Sequence, residues 1–120
     1  MYSKVAVVLL FLALAGCYYD SEEDLYPPVS CDTSNISYSL DIVPIMATSC
    51  LNCHFNGSSI GGGLNLEGHA ALKASAENGS LVGSVTHASG FSAMPKDASK
   101  LDECKIRKIK AWVQAGSPDN

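Results

Sequence analysis

Apolar residues run unbroken only at the amino end of this chain; beyond it they recur with helical spacing. Val5 to Ala15 is continuously apolar behind Lys4. At 1.5 Å per residue that run covers about half of a ~30 Å bilayer core, so it predicts a secretory signal and not a membrane span. Residues 17–30 carry Asp20-Ser21-Glu22-Glu23-Asp24 and Pro27-Pro28 and no periodic face, which predicts an extended tether. Helical periodicity begins at Leu40–Ser49, where Ile42, Ile45 and Met46 share a face, Asp41 stands at the start and Pro44 is tolerable only in the first turn. Asn56 to Gly63 is a loop by its Gly and Ser content, and without a following Gly-Lys-Ser/Thr it is no phosphate cradle. Glu67–Lys73 predicts a short helix, and Ser80–Val85 another turn or two. The last helix has the clearest signature. Leu101, Ile106, Ile109, Trp112 and Val113 form its apolar face, Ser99-x-x-Asp102 resembles a capping box, and Gly116 with Pro118 stops it. Lys105 falls within that face, its stem able to lie along the surface while the ammonium reaches water. No segment alternates as a strand does, so residues 31–120 predict one all-α domain.

Within this frame, Cys50-Leu51-Asn52-Cys53-His54 spells C-x-x-C-H, the attachment signature of c-type haem. Two thiols three positions apart reach the two vinyl groups on one porphyrin edge and form thioethers. The adjacent imidazole is thereby delivered to iron from the proximal face. A zinc half-site and a redox dithiol share the C-x-x-C part. Zinc would need two more ligands from His69, His87, Cys31 and Cys104, none of which stands in a second ligand pair. A thioredoxin-like site would sit in a βαβ pattern, which the chain lacks.

Leu14-Ala15-Gly16-Cys17 resembles the bacterial lipobox, in which the signal is cut before a cysteine that takes lipid. An ordinary secretory signal with an incidental cysteine is the alternative. Acyl chains on Cys17 and on its new amino terminus would supply the two signals that stable anchoring requires. The expected location is outside the cytoplasm, on a bacterial membrane facing the periplasm or cell exterior. Five cysteines leave, after Cys17 and the haem pair, Cys31 and Cys104. In an oxidising compartment they are a natural disulfide, with two separately buried thiols as the alternative. From Cys17 onward seven Lys/Arg face twelve Asp/Glu, a net charge of −5, which argues against nucleic acid as a partner. In a bacterial chain the Asn-x-Ser triplets at Asn35, Asn56 and Asn78 are chance.

Taken together, Cys50-x-x-Cys53-His54 behind an amphipathic helix, the Met94-Pro95 step some forty residues on, and a closing helix with Leu101, Ile106, Ile109, Trp112 and Ala115-Gly116 resemble the small mono-haem cytochrome c family over about Asp41 to Gly116. The resemblance implies three to five helices wrapped around one covalent haem. It also implies that a methionine in the loop before the last helix binds iron from the distal side, a role that falls to Met94. Met46 lies on the helix leading into the attachment turn and is badly placed for that side. His87 and His69 are alternative sixth ligands, and core filling is the ordinary role of a methionine. With both axial positions filled the iron has no open site, which leaves one-electron exchange through the porphyrin edge with redox partner proteins and no catalysis. A haem enzyme or gas sensor with an open or labile distal site is one alternative, and a haem module fixed in a larger respiratory complex another. Lys96, Lys100, Lys105, Arg107, Lys108 and Lys110 gather late in the chain, as a docking patch would, although helix-end electrostatics select the same placement.

Overall fold

Ser37 begins the first helical segment by accepting the Leu40 N–H on its hydroxyl, while the Asp41 carboxylate reaches back to the Ser37 N–H at 3.0 Å. The structure is a computed structural model and describes residues 31–120; the expected signal segment (1–16), Cys17 and the tether (17–30) lie outside the described residues. The first segment starts earlier than Leu40. It opens as a π-helical turn, Tyr38–Ile42, and continues as α1, Val43–Ser49. The N–H groups of Ile42 and Val43 reach five residues back, to the carbonyls of Ser37 and Tyr38. This wide turn ends where Pro44, which has no N–H to give, would interrupt a regular ladder.

α2 spans His69–Glu77 and α3 spans Ser80–Val85. The α2 boundaries correct the expectation of Glu67–Lys73. Gly68, at φ 84°, breaks the chain before the helix, and Glu67 turns away to accept the Asn56 N–H. At the other end Ala74, Ser75 and Ala76 carry the helix on to the Asn78-Gly79 stop. α4 is Glu103–Gln114. Its N-cap is Asp102, whose carboxylate accepts the Lys105 N–H at 2.9 Å, and not Ser99. A carboxylate there meets both the unpaired N–H groups and the positive end of the helix dipole. Lys105 is partly exposed, with its ammonium 3.4 Å from the same carboxylate.

These four helices are joined by turns, and no strand occurs among the described residues. α4 packs against the π-helical turn and α3, and α2 packs against α3. Ile42, Met46, Leu72, Leu81, Ile109 and Trp112 centre the core. Trp112, fully buried, stacks on Tyr38 at 5.8 Å, takes the edge of His69 and donates its indole N–H to the Pro118 carbonyl. α4 ends in a Schellman motif: the Ser117 N–H bonds to the Trp112 carbonyl and the Gly116 N–H to the Val113 carbonyl, with Gly116 at φ 89°. The tail it releases folds back. Asn120 pairs with Tyr38 and Ser39, clasping the far end of the chain to the first helix. Cys31 and Cys104 stand at disulfide distance, their Cα atoms 5.5 Å apart and 73 residues apart in sequence. The Lys108 ammonium meets Asp41 at 2.6 Å, so α4 is tied to Cys31 by a covalent bond and to the start of the first segment by a charged one.

Candidate functional site

α1 ends at the motif. Cys50 caps it by donating its N–H to the Met46 carbonyl, and the N–H groups of Cys53 and His54 both return to the Cys50 carbonyl, at 3.1 and 3.0 Å. One turn thus gathers both thiols and the imidazole. Cys50 is half-buried and Cys53 exposed, and neither is in a disulfide. Burial pushes the Cys50 thiol up to about 11. A redox-active C-x-x-C requires the opposite displacement, toward thiolate. The other candidates for a zinc site are engaged elsewhere, Cys31 and Cys104 with each other and both remaining histidines with backbone carbonyls. Among the described residues no three His, Cys, Asp or Glu side chains gather as metal ligands would.

His54 is 8 % exposed. Its Nδ1 lies 3.1 Å from the Leu64 carbonyl oxygen. A carbonyl can only accept, so Nδ1 carries a proton, and the tautomer this selects has its lone pair at Nε2, which makes no hydrogen bond among the described residues. The loop that supplies this carbonyl is itself folded onto the motif. Leu66 donates its N–H to the His54 carbonyl at 2.8 Å, Ser58 its hydroxyl to the Cys53 carbonyl at 2.6 Å, and Glu67 accepts the Asn56 N–H at 2.8 Å. Gly61 lies directly against the ring. A Cβ there would overlap the Cys53 carbonyl oxygen and stand 2.5 Å from His54 Nδ1. The glycines of this loop, which composition marks only as flexible, therefore include one that the imidazole's position requires.

The other two histidines bond the opposite way. His69 Nε2 donates to the Ser117 carbonyl at 2.9 Å, its ring packed edge-on against the stacked pair of Tyr38 and Trp112. His87 Nε2 donates to the Met94 carbonyl at 3.0 Å. Met94 is half-buried in the loop between α3 and α4, its N–H on the Ser84 carbonyl and its peptide to Pro95 cis. Met46 is a core residue. The site thus divides into an attachment turn at 50–54 with its 55–66 loop, and a separate Met94 loop that includes His87. On these two segments Phe55, Ile60, Leu64 and Phe91 remain 42, 74, 45 and 44 % exposed.

No family model, curated protein or solved structure matches this chain. Function is therefore read from the chain's own chemistry.

That chemistry fits a covalently held haem. Two free thiols three positions apart share one turn with an imidazole whose Nε2 is available, and large apolar side chains of both loops are exposed for a flat apolar ring to cover. Two open depressions of about 230 and 200 Å³ lie along α4, and none of Cys50, Cys53, His54 or Met94 lines them. The carbonyl of Leu64 and the contact at Gly61 had no signal in the sequence. A backbone acceptor can come from any residue type, and a Gly-rich run reads the same whether it is mobile or pressed against a ring.

Proposed function

We propose that this chain is a membrane-anchored mono-haem c-type cytochrome that carries single electrons between redox partner proteins outside the cytoplasm. One observation carries the reading above the others: of the three imidazoles, only His54 bonds a carbonyl through Nδ1 and leaves Nε2 for a metal, and it is the one that follows Cys-x-x-Cys. Cys50 and Cys53 would each add sulfur and hydrogen across one vinyl group of haem. His54 would bind iron through Nε2, and the Leu64 carbonyl would hold the ring's orientation and raise its basicity. Met94 would be the sixth ligand, the role the cytochrome c resemblance gives to a methionine in the loop before the last helix; His69 and His87 have Nε2 bonded to backbone carbonyls, which leaves each only Nδ1. When bound, haem supplies reversible one-electron chemistry. The chain would supply covalent retention, two iron ligands in His54 and Met94, and an apolar surround, and a thioether ligand raises the potential. The all-helical fold, with a clamp of α4 on the first segment behind the attachment turn, agrees with a cytochrome c-like domain. Lys96, Lys100, Arg107 and Lys110, which form no ion pair among the described residues, are the cations left for an acidic partner.

The test is expression with a c-type maturation system. Haem should remain with the polypeptide in acid and organic solvent, and the ferric protein should show the methionine-to-iron charge-transfer band. Extraction of the pigment would end the covalent reading. Met94→Ala should abolish the band, lower the potential and admit cyanide or carbon monoxide. Rapid carbon monoxide binding and peroxide turnover by the unmodified protein would favour a haem enzyme or sensor instead. Intact mass should show a chain beginning at a lipidated Cys17; a mature terminus elsewhere would remove the anchor.

A further inference from the structure

We infer that His87 is a positioning residue for Met94, holding its backbone so that the thioether is presented to iron; the inference rests on the function proposed above. α3 ends in a Schellman motif, with the His87 N–H on the Ser84 carbonyl at 3.2 Å and the Ala88 N–H on the Gly83 carbonyl at 2.9 Å. The residue at the first position past such an end adopts left-handed backbone, and His87 does so at φ 56°. The ends of α2 and α4 fill the equivalent position with Gly79 and Gly116, at φ 81° and 89°, which bear no steric penalty there. α3 alone fills it with a histidine, an exposed one, so neither conformation nor burial accounts for the residue. What the side chain does there is donate Nε2–H to the Met94 carbonyl at 3.0 Å.

That bond completes a grip on one residue. The Ser84 carbonyl takes the Met94 N–H at 3.1 Å as well as the His87 N–H, so the start and end of the loop meet at one oxygen. Phe91 lies so closely over Gly83 that a Cβ there would enter the ring. Met94 is therefore held at its N–H by α3, at its carbonyl by His87, and the loop between them is fastened by Phe91. A backbone strained at a ligand-bearing loop and compensated by a bond to the ligand residue itself is the pattern expected of a preorganised site.

The experiment compares His87→Gly and His87→Gln with Met94→Ala in the haem-loaded protein. His87→Gly relieves the left-handed backbone but removes the donor. It should melt at or above the parent temperature, yet weaken the charge-transfer band, quicken exchange of the Met94 amide hydrogen and speed cyanide binding roughly two- to tenfold, the worth of one neutral hydrogen bond. His87→Gln restores a donor of similar reach and should recover the band while melting lower. A purely structural role would move melting and ligation together. If His87→Gly leaves band, amide exchange and cyanide rate unchanged while Met94→Ala abolishes the band, the positioning role fails and the proposed function stands. If Met94→Ala also leaves the spectrum unchanged, Met94 is not the ligand, and the positioning role fails together with the Met94 assignment of the proposed function. If His87→Gly removes the low-spin spectrum entirely, His87 is itself a ligand and the positioning role is overturned.

Discussion

Replacing Gly61 with alanine tests how the loop after the motif fixes the proximal imidazole. Gly61 does not have positive φ, so the backbone itself accepts alanine, and the whole effect is steric. The added Cβ would sit 2.5 Å from His54 Nδ1, where ordinary van der Waals contact begins near 3.4 Å. The ring or the loop must therefore move by about 1 Å. Such a movement carries an overpacking cost of about 1–3 kcal/mol. It also stretches the 3.1 Å bond to the Leu64 carbonyl beyond hydrogen-bonding range, costing about 0.5–1.5 kcal/mol more. The sum is about 1.5–4.5 kcal/mol, and at about 4–8 °C per kcal/mol for a domain of this size melting should fall by roughly 6–36 °C. Gly57 is the control. It has φ 82° with open space around its Cβ position, so Gly57→Asn, which tolerates left-handed backbone, should shift melting by a few degrees only, whereas Gly61→Asn should be as damaging as alanine. Thermal unfolding followed by circular dichroism reads all four proteins. In the haem-loaded protein Gly61→Ala should also shift the potential. Equal melting of Gly61→Ala and the parent would refute the contact that fixes His54.

The Cys31→Ser/Cys104→Ser double variant frees a 73-residue separation and should lose about 4 kcal/mol in the chain-entropy model, roughly 15–30 °C in melting; a drop below ~5 °C would show that the link contributes little to stability. Asp41→Asn breaks the ion pair to Lys108 and weakens the cap on Ser37, and should cost about 1–2 kcal/mol at neutral pH in this half-exposed setting. The Lys108 hydrogen bond, followed by the Ser37 N–H, holds Asp41 below the ordinary carboxylate range, so its contribution is complete above the unfolded-state value near 3.9 and is lost as pH falls through the lower folded value. Denaturant midpoints of parent and Asp41→Asn should therefore differ at pH 7 and converge below about pH 4, and a difference that grew with acid would contradict the pair.

α4 was legible because its signals are local: a 3.6-residue apolar period and a Gly-Ser-Pro stop lie within one short stretch, although the start read as a Ser99 capping box is made by Asp102 instead. Ser80–Val85 was legible for the same reason, and so was the unity of Cys50, Cys53 and His54, which depends on spacing alone. The boundaries of α2 were not, because Glu67, an ordinary first-turn residue by composition, is drawn off to the Asn56 N–H eleven positions back. Nor was the π-helical start at Tyr38, which depends on Asp41 facing both Ser37 and, across the fold, Lys108. The three histidines draw the same line most sharply. By sequence they are equivalent imidazoles, distinguished only by what precedes them. Tertiary structure assigns the Leu64 carbonyl to Nδ1 of one and carbonyls of Ser117 and Met94 to Nε2 of the others, and so decides which ring keeps its Nε2 lone pair. Spacing along a chain fixes which side chains can act as a unit, whereas the direction of a lone pair is set by acceptors that only folding brings within 3 Å.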